Sequence, residues 1–161
     1  MPDGISLEDE LALAGRLADA AWIAIRPHFR ALKDVDNKVA TPPLNPSPAR
    51  PTPTARPAIP AKAEFDPVTE GDRAAERAIR AILAAECPQH GVTGEEYPET
   101  PSNSGYRWLI DPIDGTRAFV AGLPVWTTLI SLVGPDDVPL IGIIDQPVLG
   151  ERYVGWPGGA E

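Results

Sequence analysis

The chain has 161 residues, 43% of them hydrophobic and 23% charged, which suits one soluble globular domain with a sizeable core. A net charge of −9 at pH 7 excludes a surface built to track a nucleic-acid backbone, which needs clustered Lys and Arg, but not a small phosphorylated ligand met through bound cations. The single cysteine, Cys87, excludes an intrachain disulfide, and with an acidic first segment and no apolar run near the ~20 residues of a membrane span the sequence reads as a cytoplasmic protein with no membrane partner.

Ser6 is placed to cap a helix of about 20 residues whose apolar side, Leu7, Leu11, Ala14, Ala18, Ala21, Ile25 and Phe29, advances in steps of three and four. Pro27 lacks a backbone N–H and predicts a kink or end there. Residues 40–63 show no apolar periodicity, and eight of the chain's 20 prolines fall between Thr41 and Pro60. Such a stretch cannot pack a core, so a proline-rich insertion is expected, extended and with polyproline character.

Thr69, with Asp72 three residues on, predicts the start of a second helix with Ala75, Ile79, Ile82 and Leu83 turned inward, and Pro88 ends it by Cys87. Beyond it, residues 106–110, 126–133, 140–144 and 152–155 are short β-rich runs divided by Gly, Pro and Asp. Two helices followed by several strands predict a layered α/β (α+β) domain. Trp22, Trp108 and Trp126 lie in apolar runs and read as core rather than as a stacking platform.

The strand Trp108-Leu109-Ile110 runs directly into Asp111-Pro112-Ile113-Asp114-Gly115-Thr116. Pro112 pre-sets one backbone angle and Gly115 permits a tight or left-handed turn, so the Asp111 carboxylate, the Ile113 carbonyl and the Asp114 carboxylate can converge. Hard oxygens of this kind suit Mg2+, which keeps some waters and shares its shell with phosphate. Thr116 then begins a short helical segment, Arg117 to Ala121, whose first N–H groups favour an anion. Upstream, Gly94-Glu95-Glu96 follows the apolar stretch around Val92, and carboxylates there are costly unless they meet cations. The competing reading of the hexapeptide is an ordinary surface Asp-Gly turn. An EF-hand loop is excluded because Ile113 and Gly115 stand where its third and fifth ligands belong. Zinc is disfavoured because Cys87 and His90 form only one pair; Cys87 reads as a small buried apolar residue and His90 as a loop residue.

Four motifs in order carry a family resemblance: Asp66-Pro67-Val68-Thr69 with Asp72 and Glu76; Gly94-Glu95-Glu96; Trp108 to Thr116 with Phe119; and Ile144 to Arg152. By these the chain resembles the inositol monophosphatase superfamily, and within it the bacterial histidinol-phosphatase-like branch. The resemblance implies the N-terminal portion of an αβαβα sandwich, a homodimer at full length, and Mg2+-dependent hydrolysis of a small phosphate monoester without a covalent nucleophile. It implies Glu95, Asp111, the Ile113 carbonyl and Asp114 as metal ligands, with Asp72 serving a weaker additional metal. Glu95 and Thr116 would position the attacking water, and Asp114, Gly115 and Thr116 would receive the substrate phosphate.

Histidinol phosphate, an intermediate of histidine biosynthesis, is the substrate that the last motif favours. Inositol monophosphate or a related sugar phosphate is the alternative within the same chemistry, and a non-catalytic metal- or partner-binding remnant is the alternative outside it. The family's second half carries a Trp-Asp motif, and no Trp-Asp pair occurs here. The expectation is therefore one incomplete domain over residues 1–161, interrupted by the 40–63 insertion, with weak metal affinity and little turnover alone.

Overall fold

The computed structural model describes residues 6–31, 36–37 and 67–161. The expected proline-rich insertion at 40–63 and the Asp66 start of the first motif lie outside the described residues.

Helix α1 spans Leu7–Ile25, and Ser6 caps it by accepting the Asp9 N–H at 3.4 Å. Its last bond runs from the Arg26 N–H to the Trp22 carbonyl, immediately before Pro27 removes the next donor. The turn that follows still packs the partly buried Phe29 against the core, with ring centroids 5.4 Å from Phe119 and 5.7 Å from Trp126. The buried stripe is rotated from the expected one. Leu13 and Leu17 are buried with Ala14, Ala18, Ala21 and Ile25, whereas Leu7 and Leu11 only pack against the margin. A helix stripe is wide enough to include either row, and contact with the second helix selects this one.

Asp36–Asn37 (β1) and Pro67–Val68 (β2) form a small antiparallel pair that sequence patterning does not reveal. Helix α2 spans Glu70–Glu86 behind a full capping box between Thr69 and Asp72. Its inner face carries the expected Ala75, Ile79 and Leu83, but also two buried acids, Asp72 and Glu76.

The main sheet has six strands in the order β3-β4-β5-β6-β7-β8. They are β3 Gly91–Gly94, β4 Arg107–Asp114, β5 Thr127–Val133, β6 Pro139–Gln146, β7 Glu151–Trp156 and β8 Gly159–Ala160. β3 and β4 are parallel and the remaining neighbours antiparallel. One face packs Trp108, Ile110, Ile130, Leu132, Ile141 and Ile143 against the two long helices. The other bears Leu109, Leu129, Ile144 and Tyr153, the last two 48% and 54% exposed, around an open hollow of about 880 Å³. Among the described residues no helix is long and apolar enough to cross a membrane.

The sequence places the end of the central strand at Ile110 and a turn over Asp111 to Thr116. Instead β4 continues to Asp114 through a bulge: Asp111 faces Leu129 and Asp114 faces Thr127, so two residues of β4 stand opposite Thr128 alone. Only Gly115 leaves the strand, at φ +90°, and starts the short helix α3, Thr116–Val120.

Candidate metal- and phosphate-binding site

The β4 bulge and the end of β3 bring the acidic motifs to one corner of the sheet. Gly94 pairs with Ile110 in the parallel ladder, so Glu95 leaves β3 one residue later just where Asp111 leaves the regular part of β4. Glu95 and Asp111 both line the open hollow. The bulge is held by the buried Thr128 hydroxyl, which donates to the Pro112 carbonyl at 2.8 Å. Ile113 buries its side chain in the core, and its carbonyl accepts the Thr116 hydroxyl at 2.9 Å. Gly115 takes the left-handed conformation that glycine adopts without a steric penalty, and its carbonyl accepts the Ala118 and Phe119 N–H groups to open α3.

Burial pushes the Asp111 carboxyl up to about 7, with repulsion from Glu95, Asp114 and Asp72 adding to it. Asp72, 3% exposed, is pushed up to about 6, first by burial, against the opposing effect of its bonds with Thr69. Its Oδ2 accepts both the Thr69 N–H at 2.8 Å and the Thr69 hydroxyl at 2.6 Å. A half-buried Asp111 crowded by three further carboxylates is a donor set that a hard divalent cation would relieve. The residues present therefore fit Mg2+. They border the corner rather than closing on one point, since no three of these carboxylates bring donor oxygens within 4.8 Å of one another.

Among the described residues, the set that does meet that spacing is Glu10, Cys87 and His90. The Trp108 indole N–H donates to His90 Nδ1 at 3.2 Å, both groups being buried. Neutral imidazole carries one proton, which must then sit on Nε2, so no lone pair remains on that side for a metal. Burial lowers the His90 pKa and pushes the Cys87 thiol up to about 11; it also raises Glu10, with Asp9 and Glu86 contributing. In each of the three groups, burial favours the uncharged form. His90 lies, as expected, in the loop before β3, but it is buried there and stacked on Tyr106 at 5.4 Å, and Cys87 is half-buried at the C-cap of α2.

Sequence reasoning assigned no role to Glu76 beyond its place in the first motif. It is fully buried on α2, accepts the Glu96 N–H at 2.8 Å and pairs with Arg80 at 2.8 Å. A carboxylate at an inward helical position was the available signal. The Ile144 to Arg152 motif has a structural explanation: Asp145 and Arg152 stand opposite each other on β6 and β7. Arg152 bonds Asp145 at 2.7 Å and reaches Asp19 of α1 at 2.7 Å, tying the hairpin to the helix layer.

A profile of the inositol monophosphatase family matches residues 7–160. The chain is 37% identical over 145 residues to a histidinol-phosphatase of Mycobacterium tuberculosis, covering 90% of this chain and 46% of that protein. It is 38% identical over 156 residues to a histidinol-phosphatase of Streptomyces coelicolor, covering 95% and 48%. Among solved structures, an inositol monophosphatase from Zymomonas mobilis superposes with a TM-score of 0.66 at 39% identity, covering 98% of this chain and 51% of that one. The chain thus spans about half the length of these relatives.

Proposed function

The chain belongs to the inositol monophosphatase family, and from that premise we propose that it contributes the metal- and phosphate-binding half of a Mg2+-dependent phosphomonoesterase acting on histidinol phosphate. The single observation that carries the reading is the corner itself, where a bulged strand delivers Asp111 and Asp114 beside Glu95 and burial pushes Asp111 up to about 7. In this reading Glu95, Asp111, the Ile113 carbonyl and Asp114 hold the cation, and Asp72 serves a weaker additional one. When bound, Mg2+ supplies Lewis-acid polarisation of the phosphoryl oxygens and acidifies water.

The chain's own groups do the rest. The bulge fixes where the carboxylates stand, Gly115 lets the backbone approach a phosphate, and Thr116, anchored on the Ile113 carbonyl, holds its hydroxyl where a water would be oriented with Glu95. The two histidinol-phosphatase relatives favour histidinol phosphate, and the Zymomonas mobilis neighbour favours inositol monophosphate as the second reading. Residues 1–161 are proposed to be part of a single domain, cytoplasmic and dimeric at full length.

The test is phosphate release with Mg2+ from histidinol phosphate and from inositol 1-phosphate by the full-length protein, alongside Mn2+ titration of the 161-residue chain, for wild type and Asp114→Asn. Release favouring histidinol phosphate and lost in Asp114→Asn supports the proposal in full. Mn2+ binding that Asp114→Asn leaves untouched, or the absence of any binding, sinks it; faster release from inositol phosphate overturns the substrate.

A further inference from the structure

We infer that Glu76 is a positioning residue for the metal corner: its carboxylate clamps the backbone at Gly94–Glu96 and so sets where Glu95 presents its side chain. This rests on the reading of Glu95 as a metal ligand. The geometry is specific. Glu76 comes from α2 and is 0% exposed. Its Oε2 accepts the Glu96 N–H at 2.8 Å, and its Oε1 accepts Arg80 Nε at 2.8 Å. Arg80 extends the grip along the same loop, donating to the Thr100 hydroxyl at 3.0 Å and to the Tyr97 carbonyl at 3.3 Å. Arg77, one position beyond Glu76 on the helix, holds the Tyr97 hydroxyl at 2.8 Å.

The closeness of the clamp explains Gly94. A Cβ at that position would lie 2.3 Å from Glu76 Oε1 and 2.6 Å from Oε2, where no real contact can stand. Gly94 is required by the carboxylate packed against it and not by a left-handed backbone, the usual reason for glycine at a strand end. The carboxylate thus occupies the space a side chain at 94 would take, and it bonds the backbone two residues later.

Helix stability does not account for the arrangement. An exposed i,i+4 pair supports a helix without losing its water, whereas the Glu76 and Arg80 side chains are only 0% and 17% exposed, so desolvation offsets much of what their pairing contributes. What a buried carboxylate does that an apolar side chain cannot is accept a backbone N–H at a fixed point, here one residue past a metal ligand. Because Gly94 pairs with Ile110, a shift at this point changes the spacing between Glu95 and Asp111 directly. Partners that hold a metal ligand in place commonly govern affinity about 10–100-fold.

The experiment uses the 161-residue chain with Mn2+ as probe, followed by paramagnetic resonance, and amide exchange in metal-free protein. Glu76→Gln is expected to weaken Mn2+ binding about tenfold and to speed exchange of the Glu96 amide, with the Val92 amide in β3 unchanged. Gly94→Ala, whose added Cβ forces the carboxylate and the strand end apart, should weaken binding comparably and gives the same reading if Glu76→Gln does not fold. In a Glu76→Ala background, where the space is vacated, Gly94→Ala should add less than about a twofold further loss. A residue with a merely structural role would lower the melting temperature without this local exchange signature or this non-additivity. Wild-type binding that is lost in Glu95→Gln but kept in Glu76→Gln and Gly94→Ala overturns this inference alone. A wild-type chain that binds no Mn2+, or binds it unchanged in Glu95→Gln, overturns the metal reading and the inference with it.

Discussion

The hydroxyl of Thr128 donates to the Pro112 carbonyl at 2.8 Å from a fully buried position on the neighbouring strand. That bond spans the bulge where Pro112 and Ile113 together stand opposite Thr128. Thr128→Val keeps the shape and removes the donor, leaving a buried carbonyl one partner short. The expected cost is about 1–2 kcal/mol of stability, read as a lower urea midpoint at unchanged slope. Because the bulge aims Asp111 and Asp114, Mn2+ affinity should fall with it. A variant that loses stability but binds Mn2+ as tightly as wild type would show that the bulge is set elsewhere.

The Asp111 carboxyl, pushed up to about 7 by burial and by Glu95, Asp114 and Asp72, gives a signed prediction for metal-free protein. Its folded pKa lies above the ordinary 3.8, so the folded state holds the proton more tightly than the unfolded one. The favourable contribution is complete below about 3.8 and lost as pH rises through 7. Asp111→Asn should therefore be more stable than wild type at pH 8 and lose that advantage at pH 4, while Mn2+ binding is abolished. Urea midpoints of the two proteins across that range decide it, and parallel curves would remove the electrostatic crowding on which the metal assignment leans.

How much of this was legible in the sequence depended on the range of the interaction. Helix starts are local, and Ser6 and Thr69 cap as their spacing implies because the capping partner lies three residues away. The Asp111 to Thr116 segment advertised itself through Pro112, Gly115 and its acids. Its bulged-strand form did not, because a bulge depends on Thr128 of another strand. β3 was visible only as an apolar stretch around Val92, since its four residues become a strand by pairing with β4. Leu13 and Leu17 replaced Leu7 and Leu11 at the centre of the helix face because burial is decided by what packs across it. Glu76 was hidden for the same reason: its role lies in contacts with Gly94 and Glu96, about 20 residues away in sequence.

Arg152 joins the hairpin to α1 through Asp145, which is 4% exposed, and Asp19. Arg152→Met retains the stem but leaves the Asp145 carboxylate buried without its cation, at an expected cost on the order of 2–3 kcal/mol. Restoring neutrality with Asp145→Asn in the same chain should recover part of that loss. A double-mutant cycle in thermal unfolding measures the coupling, and simple additivity would mean that the pair contributes nothing beyond its separate contacts.

His90 yields a pH prediction of opposite sign to that of Asp111. Burial lowers its pKa, and the neutral ring accepts the Trp108 N–H on Nδ1, a bond that protonation would abolish. In the unfolded chain the imidazole takes up a proton below about 6.5, and the folded chain resists doing so. The contribution of His90 is thus present above that value and lost as pH falls below it. His90→Phe keeps the ring stack on Tyr106 but orphans the buried Trp108 N–H, so at pH 8 it should cost about 1–3 kcal/mol. As pH falls from 7 to 5 the gap should narrow, since only the wild type carries the histidine penalty, and the Asp111 effect is common to both proteins and cancels. Urea midpoints at half-unit pH steps make the comparison, and a gap that stays constant across the range would mean that His90 titrates alike in both states and that Trp108 is held by packing alone.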